Sequence, residues 1–158
     1  MIRRAVNLFG GVATLLMVAC SSNVGLHSFE GLEPRLTDYY SLEQRGDWST
    51  AYEYRTKAFR RSVSKKLYLA QMQKDNTGWH LVKYKIDSIS ERDGRVRLKI
   101  TFTETPPAGF LEGRLPPGRE PTVMDTEDES IWVKEDGTWY AYAAGTRGRL
   151  SLNAAVVP

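Results

Sequence analysis

Residue types that could do chemistry are few in this sequence of 158 residues, and most of them stand alone. The chain has one cysteine, Cys20, and two histidines, His27 and His80. None of these has a partner at the spacing of a metal site or of a Cys–His nucleophile pair. A Gly-x-Ser-x-Gly elbow and a phosphate-binding loop are also missing from the sequence. We therefore expect no catalytic residues, no metal and no cofactor.

Glu43 is the carboxylate with the strongest case for a chemical role. Helical spacing places it near the centre of an apolar stripe formed by Leu36, Tyr39 and Tyr40. A buried glutamate has a raised pKa and could serve as a base. A glutamate in the last turn of a helix more often reaches solvent or pairs with an arginine, and we see no second catalytic group beside it. An enzymatic function is therefore the third of the three hypotheses for this protein.

Two charged clusters have plain surface explanations. Asp125, Glu127, Asp128 and Glu129 form an acidic run that lacks the glycine and the ligand spacing of a calcium loop, so we expect a solvated acidic loop. Alternation predicts that five basic residues share one face of a sheet, which we expect to be a solvated face. Contact with anionic lipid or wall polymer is the alternative. The basic residues are Lys83, Lys85, Arg95, Arg97 and Lys99.

The first twenty residues have the pattern of a targeting segment. Arg3 and Arg4 precede the uncharged, mainly apolar residues 5–19, which fall short of the roughly 20 residues needed to span a bilayer. The stretch ends in Leu-Met-Val-Ala-Cys20, which resembles the lipobox of bacterial lipoproteins, with methionine where leucine is usual. The resemblance implies a signal peptide over 1–19 and acylation of Cys20, and several acyl chains on one residue give a stable membrane anchor.

The same resemblance predicts a location and a charge. Ser21 resembles an outer-membrane sorting signal, so we expect the protein at the periplasmic face of the outer membrane, joined to its anchor by a tether over 20–31. Removing the two signal arginines lowers the formal charge of +3 to about +1. A net charge this small gives no electrostatic reason to expect nucleic-acid binding.

The remaining residues, 32–158, predict one α+β domain. Apolar spacing indicates a helix over 33–45 that Gly46 ends, a second helix capped by Asp47, and a third that starts at Ser64. Period-two alternation then predicts a hairpin with Tyr84 opposite Phe102 and a three-residue loop at 92–94, followed by a second hairpin over 130–144. Residues 104–129 hold five of the seven prolines and are predicted to be an insertion with little regular structure.

Two motifs resemble domains of the nuclear-transport-factor-2-like (cystatin-like cone) superfamily. The segment Tyr39–Tyr52 contains an aromatic pair and then Gly-Asp followed by an aromatic, and Asp136-Gly137-Thr138-Trp139 resembles the turn before the final strand. The resemblance covers roughly 33–144 without the proline-rich stretch. It implies N-terminal helices packed on a curved antiparallel sheet, and it does not deliver a function, because this fold serves enzymes, carriers and assembly subunits.

Aromatic residues supply the candidate sites. The candidate ligand cavity is lined by Tyr39, Tyr40, Glu43, Trp48, Tyr52, Tyr84 and Phe102. The candidate interface for a protein partner or a homodimer consists of Trp132, Tyr140 and Tyr142, because both faces of the 130–144 hairpin carry apolar or aromatic residues and the helices can cover only one. The C-terminal tail or the proline-rich segment is the alternative cover for the other face. The first-ranked function is a non-enzymatic interaction or assembly subunit of the envelope. The alternative is a binder of small apolar ligands in the cone, which an open cavity would favour and a filled one would not. The third is an isomerase- or dehydratase-like enzyme.

Overall fold

The computed structural model of the protein describes residues 25–110 and 123–143, and these form an α+β fold. Helices come first and a four-stranded antiparallel sheet follows, as predicted. The helices are a 3-10 turn Leu26–Ser28, α1 (Leu32–Gln44), α2 (Trp48–Ala51), a 3-10 turn Tyr52–Tyr54, α3 (Lys57–Ser62) and α4 (Lys65–Asp75). The strands are β1 (His80–Arg92), β2 (Arg95–Thr105), β3 (Met124–Glu135) and β4 (Thr138–Ala143). The predicted signal peptide, Cys20 and the chain after 143 lie outside the described residues.

Capping residues set the helix ends where the sequence predicts them. Gly46 follows α1 with φ +66°, the left-handed conformation that ends a helix without strain only for glycine. The Asp47 side chain accepts a hydrogen bond from the backbone N–H of Thr50 at 3.0 Å, and the Ser64 hydroxyl accepts one from the N–H of Leu67 at 3.3 Å. The short helix α3 was not predicted, because its six residues are too few to show a helical period.

The strands follow one another in the order β1-β2-β3-β4, and two-residue turns connect β1 to β2 and β3 to β4. Asp93 and Gly94 have φ of 55° and 68°, and Asp136 and Gly137 have φ of 49° and 80°. Positive φ at both central residues is typical of the type I′ turn, whose twist matches that of the flanking strands. Asp-Gly is therefore the turn sequence that closes both hairpins.

The predicted three-residue loop between β1 and β2 is wrong, although the pairing beyond it is right. Tyr84 lies opposite Phe102 and Ile86 opposite Ile100, but the next pair is Ser88 with Lys99. Asp87 is therefore the extra residue of a β-bulge. A three-residue loop is needed for the predicted pairing only if the ladder is uninterrupted, and here the bulge supplies the one-residue shift in register instead.

The acidic run belongs to β3 and not to a solvated loop. Residues 124–129 pair with 99–104 of β2, so that the two strands shorten the predicted proline-rich insertion from both ends. Asp125 accepts a hydrogen bond from the Thr103 hydroxyl at 2.6 Å, and Glu129 lies 3.2 Å from the Arg97 guanidinium. Cross-strand partners of this kind offset the low strand propensity of acidic residues. The middle of the insertion, 111–122, lies outside the described residues.

Two apolar clusters hold the fold together. The larger lies between α1 and the inner face of the sheet and includes Leu36, Leu98 and Trp132, while the smaller lies among α2, α3 and α4. Arg55 connects the helices to the edge of β4: its backbone forms a bridge with Ala141, and its guanidinium donates to the carbonyl of Tyr142 at 3.2 Å. None of the described helices has the length and apolarity needed to cross a membrane.

Candidate binding groove and interaction face

Side chains fill the centre of the fold, where the candidate ligand cavity was predicted. Tyr39 and Tyr40 are fully buried, and Phe102 is 1% exposed. The Tyr40 ring lies 4.5 Å from the Tyr84 ring and 5.5 Å from the Phe102 ring, and the Tyr39 ring lies 5.5 Å from that of Trp132. These residues do come together, but they pack on one another and occupy the space themselves.

The remaining predicted cavity residues lie in other places. Tyr52 belongs to the smaller apolar cluster, where its ring lies 5.4 Å from that of Tyr68 and its hydroxyl donates to the carbonyl of Val63 at 2.7 Å. Glu43 and Trp48 line a groove at one end of the helix layer. The structure thus divides the predicted cavity into a packed centre, a helical cluster and an open groove.

The groove has a volume of about 460 Å³ and lies where the C-terminal ends of α1 and α4 meet the start of β1 and the end of β2. Local structure explains this convergence. Asn76 and Gly78 end α4, and Gly78, at φ +76°, lets the chain enter β1 past the ring of Pro107. The groove is lined by Glu43, Trp48, Gln73, Trp79, His80 and Glu104 together with smaller polar groups.

Two buried carboxylates face this groove, one more than the sequence analysis found. Glu43 is 4% exposed and Glu104 is 5% exposed. Glu104 continues the alternation of Ile100 and Phe102 along β2, so the sequence pattern already points its side chain to the inner face of the sheet. The predicted proline-rich insertion wrongly includes this residue. The structure thus places a second carboxylate in the lining of the groove that Glu43 lines.

The chemistry of the groove fits a polar ligand better than an apolar one. Indole faces attract cations and stack on flat or sugar-like surfaces, and carboxylates accept hydrogen bonds from ammonium and hydroxyl groups. Trp48 and Trp79 supply the indoles, and Glu43 and Glu104 supply the carboxylates. Among the described residues, no group of three His, Cys, Asp or Glu side chains is arranged to hold a metal ion.

Trp132 belongs to the core and not to the candidate interface. It is fully buried, its ring meets that of Tyr39 edge-on, and its indole N–H donates to the Ser130 hydroxyl at 2.9 Å. Its opposite neighbour on β4 is Ala141, which is also fully buried. The prediction of Trp132 at the interface is therefore wrong. Both faces of this hairpin carry apolar residues, and sequence alternation alone does not say which face the helices cover.

Tyr140 and Tyr142 alternate with the buried Trp139 and Ala141 along the edge strand β4, and both are half-buried. The guanidinium groups of Arg35 and Arg60 reach the Tyr140 ring at this edge, at 5.6 and 5.9 Å from its centre. Val133 is the cross-strand partner of Tyr140, and Arg95 is the partner of Val133 on β2. The Arg95 guanidinium lies 4.3 Å from the centre of the Tyr142 ring, within cation–π distance. We call the surface formed by Arg95, Ile131, Val133, Tyr140 and Tyr142 the outer aromatic face.

Next to the outer aromatic face, the same side of the sheet is charged. Lys85 and Thr101 both donate to the Asp87 carboxylate, at 2.8 and 2.5 Å, and these bonds hold the pKa of Asp87 below its ordinary value of 3.8. The same pairing raises the pKa of Lys85. A carboxyl whose pKa is lowered by folding stabilises the folded state above its ordinary pKa, and that contribution is lost as the pH falls through the folded pKa. The Lys85–Asp87 pair therefore stabilises the folded state at neutral pH and loses this contribution in acid.

Comparisons with known proteins give matches among solved structures and none among family models or curated proteins. Among solved structures, the chain is similar to a SEC-C motif-containing protein of Rhodopseudomonas palustris, with 16% sequence identity and a TM-score of 0.46. The match covers 69% of this chain and 73% of the other.

Proposed function

We propose that the protein is a lipid-anchored subunit of the bacterial envelope, with a non-enzymatic role in protein interaction or assembly at the periplasmic face of the outer membrane. The observation that carries the proposal is the filled centre of the fold. Within the part of the chain that the structure describes, Tyr39, Tyr40 and Phe102 fill the space between α1 and the sheet, which disfavours an apolar ligand carried inside the cone. The lipobox ending at Cys20 supports the anchor.

We also propose the finer fold assignment, a nuclear-transport-factor-2-like cone. Helices cover one face of an antiparallel sheet, as that fold requires. Bulges at Val82 and Asp87 interrupt the pairing of β1 with β2, and bulges of this kind bend and twist a sheet. Both features are compatible with the curved sheet of a cone.

The surface proposed for association is the outer aromatic face, and its proposed occupant is a second copy of the chain. Two tyrosines and two aliphatic side chains form an apolar strip on a face that is otherwise charged, and aromatic residues of this kind dominate binding energies at interfaces. The face carries cations at Arg95 and Arg97 and anions at Glu127 and Glu129. A surface with both signs of charge can pair with a copy of itself across a two-fold axis.

Cysteine crosslinking of the full chain in the membrane tests this interface. Tyr142→Cys is expected to give a covalent dimer with a short bismaleimide, because Cys20 is acylated in the proposal and no other cysteine is present. Tyr140→Ser added to this variant is expected to reduce the dimer strongly, since it removes an aromatic side chain from the apolar strip. Lys83→Cys, exposed at the opposite edge of the sheet on β1, is the matched control. Equal crosslinking from positions 142 and 83, or none from position 142, would contradict the proposal.

A second candidate function is the binding of a small cationic ligand in the groove, favoured by two indoles beside two buried carboxylates. Tryptophan fluorescence of the full chain during titration with cadaverine measures it, since Trp48 and Trp79 face the groove. A saturable change is expected in the unmodified chain, weakened about tenfold or more in Glu104→Gln, because a charged hydrogen bond is lost. Glu91→Gln, on the exposed end of β1, is expected to leave binding unchanged. A linear, unsaturated response would exclude this candidate.

A further inference from the structure

Helices α3 and α4 begin with a strongly basic segment. Residues 57–66 contain Lys57, Arg60, Arg61, Lys65 and Lys66, and no acidic residue. We call these five residues the α3–α4 basic patch. Lys65 and Lys66 stand in the first turn of α4, where the helix dipole is positive and cations are disfavoured. The sequence thus accumulates positive charge where the helix itself gives no reason for it.

Acidic neighbours neutralise only part of this patch. Lys57 forms an ion pair with Asp136. Glu53 forms ion pairs with both Arg60, at 2.8 Å, and Lys65, at 3.0 Å. The ion pairs found among residues 25–110 and 123–143 include neither Arg61 nor Lys66, and both side chains are exposed. One carboxylate shared between two cations leaves a net positive surface at the junction of α3 and α4.

An exposed apolar side chain lies beside these charges. Leu67 follows Lys66 in α4 and is 53% exposed, the highest value for a large hydrophobic residue in the part of the chain that the structure describes. The same turn of α4 directs Tyr68 into the smaller apolar cluster. On a membrane surface, such a leucine can enter the interface while the cations beside it meet the headgroups.

The patch lies on the β4 side of the domain, and the entering chain crosses from β1, where Gly25 lies against Ile89, to β4 at Glu30. Lys57 meets Asp136 in the β3–β4 turn, and Trp139, just after that turn, donates its indole N–H to the carbonyl of Glu30 at 2.9 Å. Gly25, the first described residue, lies five positions after Cys20 in the chain. Even fully extended, five residues span at most about 18 Å. A lipid on Cys20 therefore keeps the domain near the bilayer, and the charges on its surface decide which side faces the lipid.

We infer that the α3–α4 basic patch lies on the surface of an anionic lipid bilayer and orients the domain there. The inference depends on the lipid anchor in the proposed function, which brings the patch within reach of headgroup charges that are screened within about 10 Å. Each basic residue near such a surface contributes about as much as a fivefold change in binding. The acidic half of β3, with Asp125, Glu127 and Glu129, is held away from the bilayer by the same electrostatics.

Hydrogen exchange of the full chain reconstituted into vesicles tests the inference. We compare phosphatidylcholine vesicles with vesicles that also contain phosphatidylglycerol. Amides of residues 57–67 are expected to exchange at least about fivefold more slowly on the anionic vesicles, and the difference is expected to vanish in high salt. Arg61→Glu combined with Lys66→Glu is expected to remove the slowing, without changing the melting temperature, because both side chains are exposed.

A charge-matched variant separates a local contact from an effect of net charge. Lys83→Glu combined with Arg92→Glu makes the same change in charge on exposed residues of β1, and it is expected to keep the slowing at 57–67. Equal exchange on the two kinds of vesicle, or slowing that survives Arg61→Glu with Lys66→Glu, would overturn the inference. Failure of the chain to remain with either vesicle would instead refute the anchor, and the inference with it.

Discussion

Replacing Trp132 with alanine is expected to lower the free energy of unfolding by about 3–5 kcal/mol, the range for truncating a large aromatic side chain in a packed core. Trp132 is fully buried against Tyr39, and Ala141 beside it on β4 is too small to fill the space that is vacated. The change also leaves the Ser130 hydroxyl without the indole donor that now bonds to it in a fully buried site.

Urea denaturation of the full chain, followed by circular dichroism, measures this loss. Trp132→Phe keeps most of the ring volume and is expected to cost clearly less than alanine. Leu67→Ala, at an exposed position of α4, is the surface control and is expected to stay within about 0.5 kcal/mol of the unmodified chain. A loss for Trp132→Ala as small as that of the control would place Trp132 at the surface and restore it to the candidate interface.

Cys20→Ser is expected to abolish lipid attachment completely, because a hydroxyl cannot replace the thiol that receives the first acyl-bearing group in the lipoprotein reading. Loss of several acyl chains removes the anchor, and the precursor is expected to keep its N-terminal segment. Labelling growing cells with a clickable palmitate analogue measures attachment, and the apparent mass of the chain reports cleavage.

The neighbouring serine provides the control for this experiment. Ser22→Ala changes a polar side chain two residues away and is expected to leave labelling unchanged, since the lipobox ends at Cys20. Equal palmitate incorporation in Cys20→Ser and in the unmodified chain would end the lipoprotein reading, and the membrane orientation proposed for the α3–α4 basic patch would lose its basis.

Local sequence was sufficient for the helix ends and for the class of the fold. Gly46, Asp47 and Ser64 act through their own backbone conformation or through a hydrogen bond three residues away, so their effects are visible without knowledge of distant partners. The alternation of β2 from Val96 to Phe102 predicts an inward face for the same reason, because side chains of a strand alternate whatever lies above them. Helices followed by antiparallel strands then define the α+β class.

Long-range packing decided the rest. A bulge at Asp87 allows a two-residue turn between β1 and β2 where a three-residue loop is predicted. Pairing with β2 places the acidic run in β3, although acidic residues have a low propensity for strands. The helices cover the face of β3 that carries Trp132, so this residue became core while Tyr140 and Tyr142 remained on the outer side. Burial of a side chain depends on which element lies across from it, and strand alternation carries no information about that element.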